Sequence, residues 1–193
     1  MIKRTVIVRP VGHFLHGFHF RTTSHGDITP TVTLFQPMCV PRVQIPFGGM
    51  PERHFHGSPE LTVSDPEIGR KLIEELGGDR LDSLLRIDMP DKFLVWVEHH
   101  GGLGTDRFAM FTHALAGRRT RAIVLAEQEL AVDRRAAARG AHWAAASIRR
   151  LHRLIRIFES GQARTNRLLR TIERVNARRI GVEQWWHWSP VVE

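Results

Sequence analysis

The sequence predicts an α+β protein: a β-rich N-terminal body containing one capped helix, followed by a C-terminal antiparallel helical hairpin with an arginine-rich face. Two observations predict this class. Up to residue 117, β-branched and aromatic stretches are separated by proline and glycine, as in strands and turns. From residue 118 to 180, proline is absent and apolar residues recur at helical spacing. We therefore expect a body over 1–117, a helical region over 118–180 and a tryptophan-rich tail over 181–193.

The first strands of the body are predicted from β-branched and aromatic residues. Residues 5–11, 12–20 and 31–35 have this composition, and residues 24–27 are typical of a turn. Three prolines between residues 37 and 46 favour edge strands or loops, because proline cannot donate a hydrogen bond to a neighbouring strand.

One helix is predicted inside the body. Ser64 and Glu67 have the spacing of a capping box, and Pro66 between them suits the first turn of a helix. Apolar residues follow at helical spacing, and the pattern ends at Gly77 and Gly78. We expect this helix to begin near residue 65 and end near residue 76.

The body is predicted to end in a β-hairpin. Residues 93–98 are an apolar run typical of a buried strand, and a glycine-rich connection separates them from a second strand at 107–112. We then expect one helix to about Arg139 and a second, longer element that is continuous over 141–180 unless Gly161 breaks it. Gly161 costs a helix only about 1 kcal/mol relative to alanine, but a break would leave two shorter basic faces. The side chains expected to be buried on these helices are Trp143, Leu151, Ile155 and Phe158.

Composition excludes several classes of protein. Hydrophobic residues make up 42% of the 193 residues and charged residues 25%, which excludes wholesale disorder. The longest apolar runs span five residues, whereas a membrane-spanning helix needs about 20. The N-terminus lacks the apolar stretch of a secretory signal, and one cysteine, Cys39, excludes an internal disulfide and a cysteine-rich zinc module. We expect a cytoplasmic protein with no membrane segment.

The positive charge of the chain is concentrated in the helical region. Residues 118–179 contain sixteen arginines and five acidic residues, whereas residues 1–117 are nearly balanced. On a helical wheel, eight of these arginines lie within about 60° of one line, and the apolar residues lie on the other side. On one continuous helix this arginine stripe would be about 44 Å long. Its members are Arg149, Arg153, Arg156, Arg164, Arg167, Arg170, Arg174 and Arg178.

A long arginine stripe with few acidic neighbours favours binding to a polyanion. Arginine binds phosphate through two parallel hydrogen bonds, and a nucleic-acid backbone presents phosphates at regular spacing. We therefore expect a non-enzymatic, nucleic-acid-binding subunit of a bacterial, phage or plasmid nucleoprotein complex, with other protein subunits as partners and no cofactor. The sequence does not distinguish RNA from DNA, because an arginine that binds phosphate makes no contact with a base. A structural or assembly protein whose basic helices pack on an acidic protein partner is an alternative.

The tail carries an aromatic cluster, Trp185, Trp186 and Trp188. Two interpretations remain open. The rings could stack on the bases of a single strand, as aromatic side chains beside cationic grooves do. They could instead pack back on the protein as a hydrophobic lid.

Histidines in the N-terminal half support a second alternative, a metal-dependent enzyme. The spacing of Gly48, His54, His56 and Glu60 resembles the first metal-binding motif of the cupin family, in which two histidines and a glutamate from a β-barrel hold a divalent metal. The resemblance implies His54, His56 and Glu60 as ligands. It covers about 13 residues, and the family's second motif, with its Pro-x-Gly, is absent. The sequence also lacks the P-loop, the dinucleotide-binding glycine motif and the nucleophile elbow of serine hydrolases.

Overall fold

A computed structural model describes residues 5–7, 11–22, 27–41, 61–62, 66–67, 74, 85–100, 105–189 and 191. In this part of the chain the helices are α1 (Pro90–His100), α2 (Thr105–Leu115), α3 (Arg119–Ala138), α4 (Ala144–Glu159) and α5 (Gln162–Ile180), and a short 3₁₀ turn spans Glu183–Trp185. The strands are β1 (Thr5–Ile7), β2 (Phe14–Thr22), β3 (Asp27–Pro37) and β4 (Leu61–Thr62).

The strands form one antiparallel sheet in the order β1-β2-β3-β4. Thr5 of β1 lies opposite His19 of β2, and Phe14 at the start of β2 lies opposite Pro37 at the end of β3. The register between β2 and β3 shifts between His19 and Arg21. Described strand residues are therefore confined to residues 5–37 and the short β4.

The structure is mostly helical, so the predicted α+β class with a β-rich body over 1–117 is wrong. The decisive difference lies at residues 90–115, where the sequence predicted a β-hairpin and the structure has α1 and α2. By periodicity alone, a short unbroken apolar run fits a buried strand and a buried helix equally well. The burial pattern is helical, because Phe93, Leu94 and Val97 are buried whereas Val95 between them is 54% exposed.

The longest helices form the framework of the C-terminal half. Helices α3 and α4 lie side by side and make the most extensive contact between any two described helices. Residues 139–143 join them, a short connection of the kind that links antiparallel helices. Helix α3 also packs on α2, and α5 contacts both α2 and α4. Helices α2, α3, α4 and α5 are therefore joined by a continuous set of packing contacts.

Helix α5 contributes to two hydrophobic clusters of the described core. The first cluster lies among α2, α3, α4 and α5; its largest buried members include Met110, Phe111, Leu115, Phe158 and Leu169. The second joins the start of β2 to the end of α5 and consists of Val11, Leu15, Met38, Ala177 and Val182. Between them, Asn176 of α5 donates hydrogen bonds to the carbonyls of Met38 and Val40, both at 2.8 Å. These bonds attach the chain that follows β3 to α5.

Two further sequence predictions can be compared with the structure only in part. The capped helix predicted after Ser64 lies outside the described residues except at positions 66, 67 and 74. Over the ranges that are described, none of the helices has both the length and the apolar character needed to cross a bilayer.

Candidate nucleic-acid interface

The arginine stripe is divided into two segments at Gly161. Helix α4 ends at Glu159 and α5 begins at Gln162, so the continuous helix expected over 141–180 is wrong. Gly161 has φ 117° and ψ 164°, a backbone conformation that is essentially restricted to glycine. The chain therefore changes direction at Ser160 and Gly161, which we call the α4–α5 corner.

Hydrogen bonds to α2 and α3 hold the α4–α5 corner in place. Arg119 at the start of α3 donates through Nη1 to the carbonyl of Phe158 at 2.9 Å. Gln162 donates through Nε2 to the carbonyl of Ala114 in α2 at 3.2 Å and to Asn166 Oδ1 at 2.8 Å. The direction of α5 relative to α4 is thus fixed by two neighbouring helices as well as by the glycine.

All eight arginines of the stripe are exposed on α4 and α5. Six of them, up to Arg170, form no ion pair with a carboxylate in the part of the chain that the structure describes. Within α4, Arg156 Nε donates a hydrogen bond to the carbonyl of His152 at 3.4 Å. We call these six residues the free arginine surface: Arg149, Arg153, Arg156, Arg164, Arg167 and Arg170.

The last two arginines of the stripe share one acidic partner that lies beyond the end of α5. Glu183, in the 3₁₀ turn after α5, lies 2.7 Å from Arg178 Nε and 3.4 Å from Arg174 Nε. The hydrogen bond from Arg178 holds the pKa of Glu183 below its ordinary value. Helical i, i+4 spacing could not reveal these pairs, because Glu183 lies beyond the end of the helix.

The side of α4 opposite the arginines packs into the core. Leu151 and Phe158 are buried, and Ile155 is half-buried. The prediction that Trp143 is buried is wrong, because its side chain is 60% exposed. Trp143 is the N-cap residue of α4 and precedes the helical residues whose apolar side packs into the core.

A cavity of about 400 Å³ opens at the α4–α5 corner. Its lining consists of Arg153, Arg156, Ile157 and Arg164, so three members of the free arginine surface meet there from two helices. A second cavity, of about 420 Å³, lies between α2, α4 and α5 and is mainly apolar, with Phe111 and Ile172 among its lining residues. Arg153 lines both cavities.

A buried polar centre joins α5 to the start of β2 and to the tail. Glu173 is fully buried; its Oε1 lies 3.0 Å from His13 Nδ1, and its Oε2 accepts a hydrogen bond from Trp186 Nε1 at 3.2 Å. The other ring nitrogen of His13, Nε2, lies 2.6 Å from the carbonyl of Ser189. The Trp188 ring meets the His13 ring edge to face, with centroids 4.8 Å apart.

The hydrogen-bond partners require one shared proton in this centre. A carbonyl only accepts, so His13 Nε2 must carry a proton for the bond to Ser189. A second proton must then lie between His13 Nδ1 and Glu173, on one or the other. Burial by itself lowers the pKa of His13, but the hydrogen bond and charge of Glu173 raise it above its ordinary value. Burial raises the pKa of Glu173, against the opposing effect of His13.

The tryptophans of the tail contact the rest of the protein. Val11 donates its N–H to the carbonyl of Trp185 at 3.0 Å and accepts a hydrogen bond from the N–H of His187 at 3.1 Å. Trp185 and Trp186 pack on the second hydrophobic cluster, and Trp188 packs on the first. All three side chains are half-buried, an arrangement that favours the lid interpretation over base stacking.

The predicted metal ligands lie elsewhere. His54, His56 and Glu60 are outside the described residues, so their arrangement stays a prediction. Within the described ranges, no group of three or more histidine, cysteine or acidic side chains is placed to hold a metal ion.

Comparison with known proteins finds no matching family, no matching curated protein and no matching solved structure.

Proposed function

We propose that this protein binds nucleic acid, RNA or DNA, by contacting the phosphate backbone with the free arginine surface. One observation carries the proposal: six exposed arginines on α4 and α5 have no carboxylate partner within the described residues. Like charges on one surface repel one another, and an anion laid against them removes that repulsion. Guanidinium groups suit phosphate, because they can donate two parallel hydrogen bonds to it.

The dimensions of the surface fit several consecutive phosphates. At about 1.5 Å of rise per residue, the arginines of α4 extend for about 10 Å and those from Arg164 to Arg170 for about 9 Å. A DNA duplex carries one charge for about every 1.7 Å of its axis. Each segment is therefore long enough to face several consecutive phosphates.

Contacts between arginine and phosphate recognise the backbone and do not depend on the identity of the bases. We infer a non-enzymatic role, as a subunit of a bacterial, phage or plasmid nucleoprotein complex, with sequence-independent binding. The alternative of an acidic protein partner uses the same surface. It differs in one measurable respect, because a surface shaped for protein carboxylates need not retain nucleic acid at low salt.

The test compares two triple variants that remove the same charge. Arg149→Gln with Arg167→Gln and Arg170→Gln removes half of the free arginine surface. Arg121→Gln with Arg135→Gln and Arg139→Gln removes three exposed arginines of α3 and its C-terminal end. The first variant should lose most of its affinity for a fluorescent oligonucleotide, measured by anisotropy. The second should retain more affinity, because only long-range attraction is reduced.

Both triple variants should unfold at nearly the wild-type temperature, since exposed substitutions usually change stability by less than about 0.5 kcal/mol. Equal losses of affinity in the two variants would show that net charge alone drives binding. Absence of binding by the wild-type protein at low salt would refute the function.

A further inference from the structure

The cavity at the α4–α5 corner differs from the rest of the free arginine surface because three arginines from two helices line it. Arg153 and Arg156 come from the last turns of α4, and Arg164 comes from the first turn of α5. Ile157 is the remaining lining residue. On a straight helix these arginines would lie in a row, so the convergence is a product of the turn at Gly161.

Charge within the cavity is uncompensated in the described part of the chain. No acidic side chain is among the lining residues, and the first turn of α5 contains no acidic residue. Glu159, the nearest acidic residue in sequence, is exposed and does not line the cavity. Three positive charges around one space attract a dianion more strongly than a monoanion, because the attraction is proportional to the charge of the ligand.

These features distinguish two kinds of phosphate. A phosphodiester inside a strand carries one negative charge and continues on both sides. A phosphate monoester carries about −1.5 to −2 at pH 7, presents three free oxygens, and ends the strand. The converging arginines offer more donors than a diester can accept. The volume of about 400 Å³ is also in the range of ligand pockets, so the attached nucleoside fits beside the phosphate.

We propose that the α4–α5 corner is a site for a phosphate monoester, and that it binds the phosphorylated end of a nucleic-acid strand. Arg153, Arg156 and Arg164 bind the oxygens of the monoester, while the remaining free arginines bind the diesters that follow. The inference rests on the proposed function for the strand that carries the monoester. A free nucleotide shares the same chemistry, and the experiment separates the two sources.

The experiment measures affinity for strands that differ only at their ends. Oligothymidylate with a 5′-phosphate, with a 3′-phosphate and with two hydroxyl ends is compared by fluorescence anisotropy, and thymidine monophosphate is tested by calorimetry. We expect the phosphorylated strands to bind about tenfold more tightly than the hydroxyl strand, as a charge-assisted contact would give. The double variant Arg156→Gln with Arg164→Gln should weaken binding to all strands and reduce that tenfold ratio to about one.

The control is Arg167→Gln. Arg167 lies on α5, as Arg164 does, but it does not line the cavity. It should weaken binding to phosphorylated and unphosphorylated strands by the same factor and leave the ratio unchanged. Circular dichroism melting of each variant confirms that it is folded.

The outcomes separate this inference from the proposed function. Strand binding without any preference for a phosphorylated end overturns the monoester site and leaves the proposed function standing. Binding of thymidine monophosphate, lost in the double variant, without strand binding supports the site as a nucleotide site and refutes the proposed function. Absence of both kinds of binding overturns both.

Discussion

At the scale of single residues, the proton shared by His13 and Glu173 links stability to pH. The pKa values of both residues are raised in the folded protein. A raised pKa means that the folded state holds protons that the unfolded state releases. The contribution of His13 to stability is present below its unfolded pKa of about 6.5 and is lost as pH rises through its folded pKa. The contribution of Glu173 to stability is likewise present below its unfolded pKa of about 4.3 and is lost as pH rises through its folded pKa.

We predict that Glu173→Gln removes this loss of stability at alkaline pH. The glutamine amide can donate to His13 Nδ1, and its oxygen can accept from Trp186, so neutral partners satisfy every polar atom. Urea unfolding at pH 6, 7, 8 and 9 should show stability falling with pH more steeply in the wild-type protein than in the variant. Parallel profiles would show that no proton is shared.

Other histidines do not confound this comparison. Burial lowers the pKa of His16 and of His113. Their contribution to stability is present above about 6.5 and is lost as pH falls through their folded pKa values. Because both residues are the same in the wild-type protein and in Glu173→Gln, their effects cancel in the difference between the two profiles.

At the scale of elements, Gly161 decides whether the arginines form a row or a corner. A Cβ at position 161 would meet no atom within 4 Å, so the cost of a side chain there comes from the backbone alone. We predict that Gly161→Ala lowers the free energy of unfolding by about 1 to 3 kcal/mol, or lets α4 and α5 straighten to escape the strain. If the two helices straighten, the preference for phosphorylated strand ends should fall. If the corner persists at a cost in stability, the preference should remain.

Gly140 provides the matched control for this substitution. It has φ 84°, and a Cβ there also meets nothing within 4 Å. Gly140→Ala should cost about 1 to 2 kcal/mol of stability, because a left-handed conformation disfavours alanine. It should not change the preference for phosphorylated ends. A loss of preference in both variants would mean that reduced stability, and not the corner, explains the effect.

Sequence patterns predict some features of the helices and not others. The exposure of the arginines on α4 and α5 follows from spacing within each helix, which the sequence contains. The wrong assignment of residues 93–98 arose because Phe93, Leu94, Val95 and Trp96 are all apolar, so neither period is visible. The break at Gly161 depends on Arg119 and Gln162 bonding across to other helices, and a propensity scale contains no such term.

At the scale of the whole molecule, the sequence could not predict side-chain contacts between residues that are far apart in the chain. His13 and Glu173 are 160 residues apart, and Asn176 is 138 residues from Met38. Local periodicity cannot connect such positions. Glu173 is one of the five acidic residues counted in the helical region, yet in the structure it is fully buried and faces away from the stripe. The free arginine surface is thereby left with less acidic charge than the sequence implies.

Whole-molecule charge leads to the last prediction, the salt dependence of binding. Each phosphate contact releases condensed counterions, so affinity falls with salt in proportion to the number of contacts. If about five of the six free arginines contact phosphate, a plot of log affinity against log salt should have a slope of about −3.5 on single strands and about −4.5 on duplex. Anisotropy titrations between about 50 and about 300 mM salt measure it. The triple variant Arg149→Gln with Arg167→Gln and Arg170→Gln should make the single-strand slope shallower by about 1.4 to 2.1, because it removes two or three of these contacts. The α3 triple variant should leave the slope unchanged. An unchanged slope in the first variant would place the phosphate contacts on another surface, and a flat dependence in the wild-type protein would favour an acidic protein as the partner of these helices.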